Sequence, residues 1–141
     1  MRAQSWMLGI LLLFGAVVAR AQQTADPIGE ALFAPELVMQ NQQAIGLSDQ
    51  QKDLLKNELR QAQQQFTDLQ WKLQDEVEQM AKLLSPPTVD EKQVLVQLEK
   101  VLTAEREVKR RQITLLVRIK NLLTAEQQGK LRTLRASGGK S

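Results

Sequence analysis

From Ser48 to Leu84 the chain runs without a proline or a glycine. Leu55, Leu59, Ala62, Phe66, Leu69, Leu73, Val77, Met80 and Leu84 recur there at steps of three and four, the spacing that lines one stripe of an α-helix. At 1.5 Å per residue the stretch predicts a helix about 54 Å long, longer than a small domain is wide. A rod of that length cannot bury its stripe against itself. A partner helix, another subunit or a ligand must cover it.

The flanks of this stretch read as helix punctuation. Leu47 precedes Ser48-Asp49-Gln50-Gln51, an S-x-x-Q capping box, and Asp49 and Asp53 suit the positive end of the helix dipole. Ser85-Pro86-Pro87 stops the helix, because two prolines remove two amide donors. Thr88-Val89-Asp90-Glu91 reads as a second box, opening a helix to about Asn121, and Thr124-Ala125-Glu126-Gln127 as a third, opening a last short helix through Leu131 and Leu134. Before Ser48, Pro35 starts a short helix carrying Leu37, Val38, Ala44 and Ile45, which Gly46 ends. The chain is therefore expected to be all-α, with helices short, long, long and short, the long pair forming an antiparallel hairpin. The second long helix has a less regular stripe, Val94, Leu98, Val101, Val108, Leu116, Ile119 and Leu123, with Glu105 and Gln112 on the same line. That interruption either splays the helices or fixes their register.

The N-terminus is expected to lie outside this domain. Arg2, the apolar run Trp6 to Val18 and Ala19-Arg20-Ala21 make a signal peptide over residues 1–21. The run is shorter than the roughly 20 residues a spanning helix needs, although an uncleaved anchor is the competing reading. Cleavage leaves no integral membrane segment, a flexible leader at 22–34, a helical domain at 35–136 and a disordered tail at 137–141. Residues 22–90 hold eleven acids and five bases, residues 91–141 five acids and twelve bases, so the two halves should attract when packed together. With no cysteine, an exported chain must hold together by packing or by oligomerising.

Enzyme constellations are missing. Without His or Cys there is no catalytic triad, no thiol nucleophile and none of the common zinc sites, so neither an enzyme nor a bound metal or cofactor is expected. The basic run with Arg106, Lys109, Arg110, Arg111, Arg118 and Lys120 could suggest nucleic acid. Export and the lack of interleaved aromatics argue against it, leaving an acidic partner, the acidic half of the first long helix, or solvent. Trp71 points about 155° from the Leu/Phe stripe at 100° per residue, either an isolated exposed aromatic or an interface anchor.

Leu47-Ser48-Asp49-Gln50-Gln51 and Leu123-Thr124-Ala125-Glu126-Gln127 resemble the paired L-T-x-x-Q motifs of the Spy/CpxP family of exported envelope-stress proteins. The first departs by Ser for Thr, which keeps the capping hydroxyl. The resemblance implies a periplasmic helical homodimer shaped as a cradle. Its relatives include ATP-independent chaperones for unfolded envelope proteins, adaptors that restrain a membrane sensor, and heavy-metal-responsive sensors that usually depend on His. On that footing Leu47, Ser48, Gln51, Leu123, Thr124 and Gln127 are expected to be structural caps. Trp71, Arg106, Lys109, Arg110 and Arg111 are the candidate contacts to client or partner.

Overall fold

A computed structural model describes residues 26–138. The expected signal peptide, the start of the expected leader and the last three residues lie outside the described residues. The chain divides into two units at Ala31. In the first, helix α1 (Pro27–Ala31) is capped by Asp26, whose Oδ1 accepts from the Ile28 amide at 3.1 Å. The second unit contains α2 (Pro35–Gln40), α3 (Asp49–Leu84), α4 (Glu91–Leu122) and α5 (Ala125–Gly138). Among the described residues no strand occurs, and the order short, long, long, short matches the expected all-α hairpin. Glu76, late in α3, meets Gln97, early in α4, whereas Glu58, early in α3, meets Arg118, late in α4. The long helices are antiparallel.

Their seam follows a stricter period than the sequence stripe suggested. From Leu55 on, the line of α3 residues withdrawn from solvent is Leu55, Leu59, Ala62, Phe66, Leu69, Leu73, Glu76, Met80 and Leu83, alternating steps of four and three, with Glu58 half-buried beside it. Val77 and Leu84, expected on the stripe, are 47% and 51% exposed. A straight helix drifts about 20° per heptad from a 3.5-residue repeat. Helices that stay in contact over many turns must keep that repeat, so Glu76 and Leu83 take the places assigned to their neighbours. On α4 the seam is Val94, Gln97, Val101, Ala104 and Val108. Glu105 and Gln112 are exposed, not on the seam. Ala104 is only 1% exposed, so the helices do not splay at the charged centre. The polar residue that does enter the seam is Gln97, which donates from Nε2 to the Glu76 carbonyl at 2.8 Å and the Glu76 carboxylate at 2.7 Å. Buried amides of this kind favour one register.

The largest hydrophobic cluster closes one end of the hairpin. Phe33, Val38, Ile45, Leu47, Leu55, Ile119, Leu123 and Leu131 bury together, drawn from α2, the following turn, both long helices and α5. Two boundaries shift as a result. Phe33, placed in the leader by sequence, is fully buried, with the Arg135 guanidinium 5.4 Å from its ring centre and also donating to the Leu32 carbonyl. The expected tail is helical through Gly138, with the Ser137 hydroxyl donating to the Thr133 carbonyl. The helix α4 also starts later than the T-x-x-E box: its cap is Asp90, whose Oδ1 accepts from the Gln93 amide. Thr88 follows two prolines whose fixed backbone delays the helix.

Candidate functional site

The two L-S/T-x-x-Q motifs meet at the closed end. Each is a true capping box. Ser48 Oγ accepts from the Gln51 amide at 3.1 Å while Gln51 Oε1 accepts from the Ser48 amide at 3.0 Å. Thr124 Oγ1 and Gln127 Oε1 do the same at 3.2 and 2.9 Å. The glutamines then join each other. Gln51 Nε2 donates to Gln127 Oε1 at 2.8 Å and to the Leu122 carbonyl at 2.7 Å. Gln127 Nε2 donates to Gln51 Oε1 at 3.0 Å and to the Gly46 carbonyl at 3.2 Å. Gly46 and Leu122 immediately precede the motif leucines, so each glutamine caps its own helix and holds the chain entering the other. Both amide oxygens accept twice and both NH₂ groups donate twice, leaving nothing unsatisfied. A glutamate at either position would lack the donors.

Gly46 prepares this joint. It has φ +67°, the left-handed conformation that glycine adopts without penalty. The Leu47 amide donates to the Gln42 carbonyl and the Gly46 amide to the Gln43 carbonyl, the paired bonds of a Schellman stop. The chain thus turns out of residues 41–46 with Leu47 buried and the Gly46 carbonyl aimed at Gln127. In this joint Ser48, Gln51, Thr124 and Gln127 cap their helices, Leu47 and Leu123 are buried, and the two glutamines bind each other.

Away from this end, the hairpin has two unlike faces. A notch on one side of the Ala62–Leu115 contact is lined by Glu58, Gln61, Gln65, Arg111, Thr114 and Arg118. By helical spacing Lys72, Gln79, Lys100 and Glu107 continue that side. This face is polar, with Leu54 exposed near its base. On the other side of the contact, Leu59, Gln63, Phe66 and Gln70 line a groove beside Pro35. Val77 and Leu84 extend that flank of α3, and Leu95, Leu98, Leu102 and Leu116 form the matching flank of α4. Leu95 is 51% exposed and Leu102 38%. This face is the more apolar of the two, although Glu36, Gln63, Thr67 and Gln70 also line its groove. Glu105 and Lys109 cross it midway.

The candidate contacts are dispersed by this geometry. Trp71, 62% exposed, lies midway between the seam residues Leu69 and Leu73 and projects from the back of α3. Arg106, midway between Ala104 and Val108, projects from the back of α4, and Arg110 lies close to it. Lys109 borders the apolar face and Arg111 the polar one. Arg110 makes a long ion pair with Glu107 at 3.8 Å, and Arg118 pairs with Glu58 at 3.1 Å. The basic run is therefore a collar around α4, not a patch with Trp71. The apolar face itself was the feature sequence reading missed. Its signal was present in the excess of α4 apolar residues beyond one stripe, Leu95 and Leu102 above all.

The described residues form an all-α hairpin of two long helices, closed at one end by paired capping boxes and carrying exposed apolar side chains along one flank. A family model described as heavy-metal resistance matches residues 8–130, and the chain belongs to that family, which is part of the Spy/CpxP-like helical superfamily. No curated protein and no solved structure gives a significant match. Among the described residues no helix is long and apolar enough to cross a membrane. The family's description raises the question of a metal. The donor set does not fit one: the chain has no His and no Cys, and no three carboxylates among the described residues gather into a site.

Proposed function

We propose that the protein is a periplasmic chaperone of the Spy/CpxP kind, exported by a cleaved signal peptide, that holds partly unfolded envelope proteins without ATP and without chemistry of its own. The observation that supports this reading is the open apolar face. Val77, Leu84, Leu95 and Leu102 stay exposed although the same hairpin buries its seam and its closed end. Exposed apolar area of this kind marks a binding surface. It suits the apolar segments of an unfolded chain, while Lys109 and the Arg106–Arg110 collar speed capture of acidic ones. A homodimer accords with the same face. An antiparallel second copy would set Glu105 of one chain near Lys109 of the other, leaving the apolar ends to line a shared cradle.

A second reading, an adaptor for one membrane sensor, is favoured by the basic collar on the back of α4. Light scattering separates the two. A denatured client diluted into buffer with the protein at near-equal concentration should aggregate less, and Leu95→Ser with Leu102→Ser should abolish the effect. Full suppression by that variant refutes the apolar face as the holding surface, and no suppression by the native chain at several-fold excess refutes the holding function. In the latter case Arg106→Glu with Arg110→Glu would test the adaptor by loss of a single captured partner.

A further inference from the structure

Heavy-metal ions are borderline or soft, and the side chains that select them are imidazole, thiolate and thioether. This chain has neither His nor Cys. Its two described methionines, Met39 on α2 and Met80 late on α3, lie toward opposite ends of the hairpin. All sixteen carboxylates fall within residues 26–138, where none form a group of three. Several are already held by cations, as in Asp49–Lys52 at 3.2 Å, Glu58–Arg118 and Glu126–Lys130 at 2.9 Å. The Glu76 carboxylate accepts from Gln97.

We infer that this member of the heavy-metal resistance family has no metal site of its own and takes as its substrate protein that the metal has unfolded. The inference rests on the holding function proposed above. A metal ion that binds the His and Cys of an unfolded chain better than the native fold pulls that chain toward the unfolded state by mass action. The unfolded chain exposes the apolar segments that the open face of this hairpin would cover. A holding protein working in that setting must itself escape the same trap. Lacking His and Cys, its own unfolded state offers the metal no imidazole or thiolate to bind, so its fold keeps its stability where its clients lose theirs.

The test has two parts. The purified protein is melted, and titrated by calorimetry, with Zn²⁺, Ni²⁺ and Cu²⁺ in tenfold excess. A His- and Cys-bearing client is then precipitated either by Zn²⁺ or by dilution from denaturant, with the protein present. The inference predicts no stoichiometric heat of binding, an unchanged Tm, and equal suppression of scattering in both client arms. Stoichiometric metal uptake, or a Tm that moves in either direction, overturns the inference and leaves the holding function standing. Suppression in the denaturant arm alone also overturns it and spares that function. Suppression in neither arm refutes the holding function, and the inference falls with it.

Discussion

The two ends of the hairpin spend their apolar residues differently. At the closed end Phe33, Val38, Ile119 and Leu131 are sealed, and every amide of the paired glutamines is used. At the open end Val77, Leu84, Leu95 and Val96 face water, and the helices are joined only by Ser85-Pro86-Pro87 and the residues around it. Composition does not separate them, since aliphatic side chains dominate both. What separates them is the number of elements available. Four segments converge at the closed end, whereas two helices alone can cover only the seam between them. On the holding function proposed above, stability and binding fall to different parts of the hairpin, so that a client is held without disturbing what keeps the chain folded.

The largest effect should come from the closed end. Leu131→Ala removes a fully buried side chain and should cost about 2–5 kcal/mol, read as a fall in the urea midpoint. Gln127→Ala should cost about 1–3 kcal/mol, because the Gly46 carbonyl and the Gln51 amide each lose a partner. Adding Gln51→Ala should then cost less than in the native chain, since the pair acts as a unit; strict additivity would contradict the mutual clasp. Ser48→Ala loses one cap and should cost about 1 kcal/mol.

The smallest effect concerns pH. The hydrogen bond and charge of Lys130 hold the Glu126 carboxyl below its usual range. A depressed folded pKa gives stability that is present above the unfolded value and lost as pH falls through the folded one. The side chain is fully exposed, so Lys130→Ala should return the Glu126 titration, followed by NMR, toward the ordinary value with almost no change in melting.

Much of the closed end was legible in the sequence. The motifs at Leu47–Gln51 and Leu123–Gln127 signal their own caps locally, within four residues, and Gly46 signals its turn. Their mutual bonding was not legible, because residues 51 and 127 are brought together only by the antiparallel fold. The seam was half legible. Leu55 to Leu73 fell on the expected stripe, but supercoiling moved the line to Glu76 and Leu83 and freed Val77 and Leu84. That same shift exposes the face on which function is placed. The spacing put Trp71 opposite the stripe, and it is exposed on the back of α3; the basic run drew notice by residue type, which alone does not say which side of a helix each residue occupies. Thr88 looked like a cap and is not one, since the prolines before it set where α4 begins.

The account turns on which face of the hairpin meets a client. A photo-crosslinking residue placed at position 102, on the apolar face, or at position 100, on the polar one, decides it most directly. Both positions are exposed on α4, so either tolerates the probe. With an unfolding client present, the probe at position 102 should yield client adducts and the one at position 100 few or none. Adducts of equal yield from both, or from position 100 alone, would contradict the assignment of binding to the apolar face.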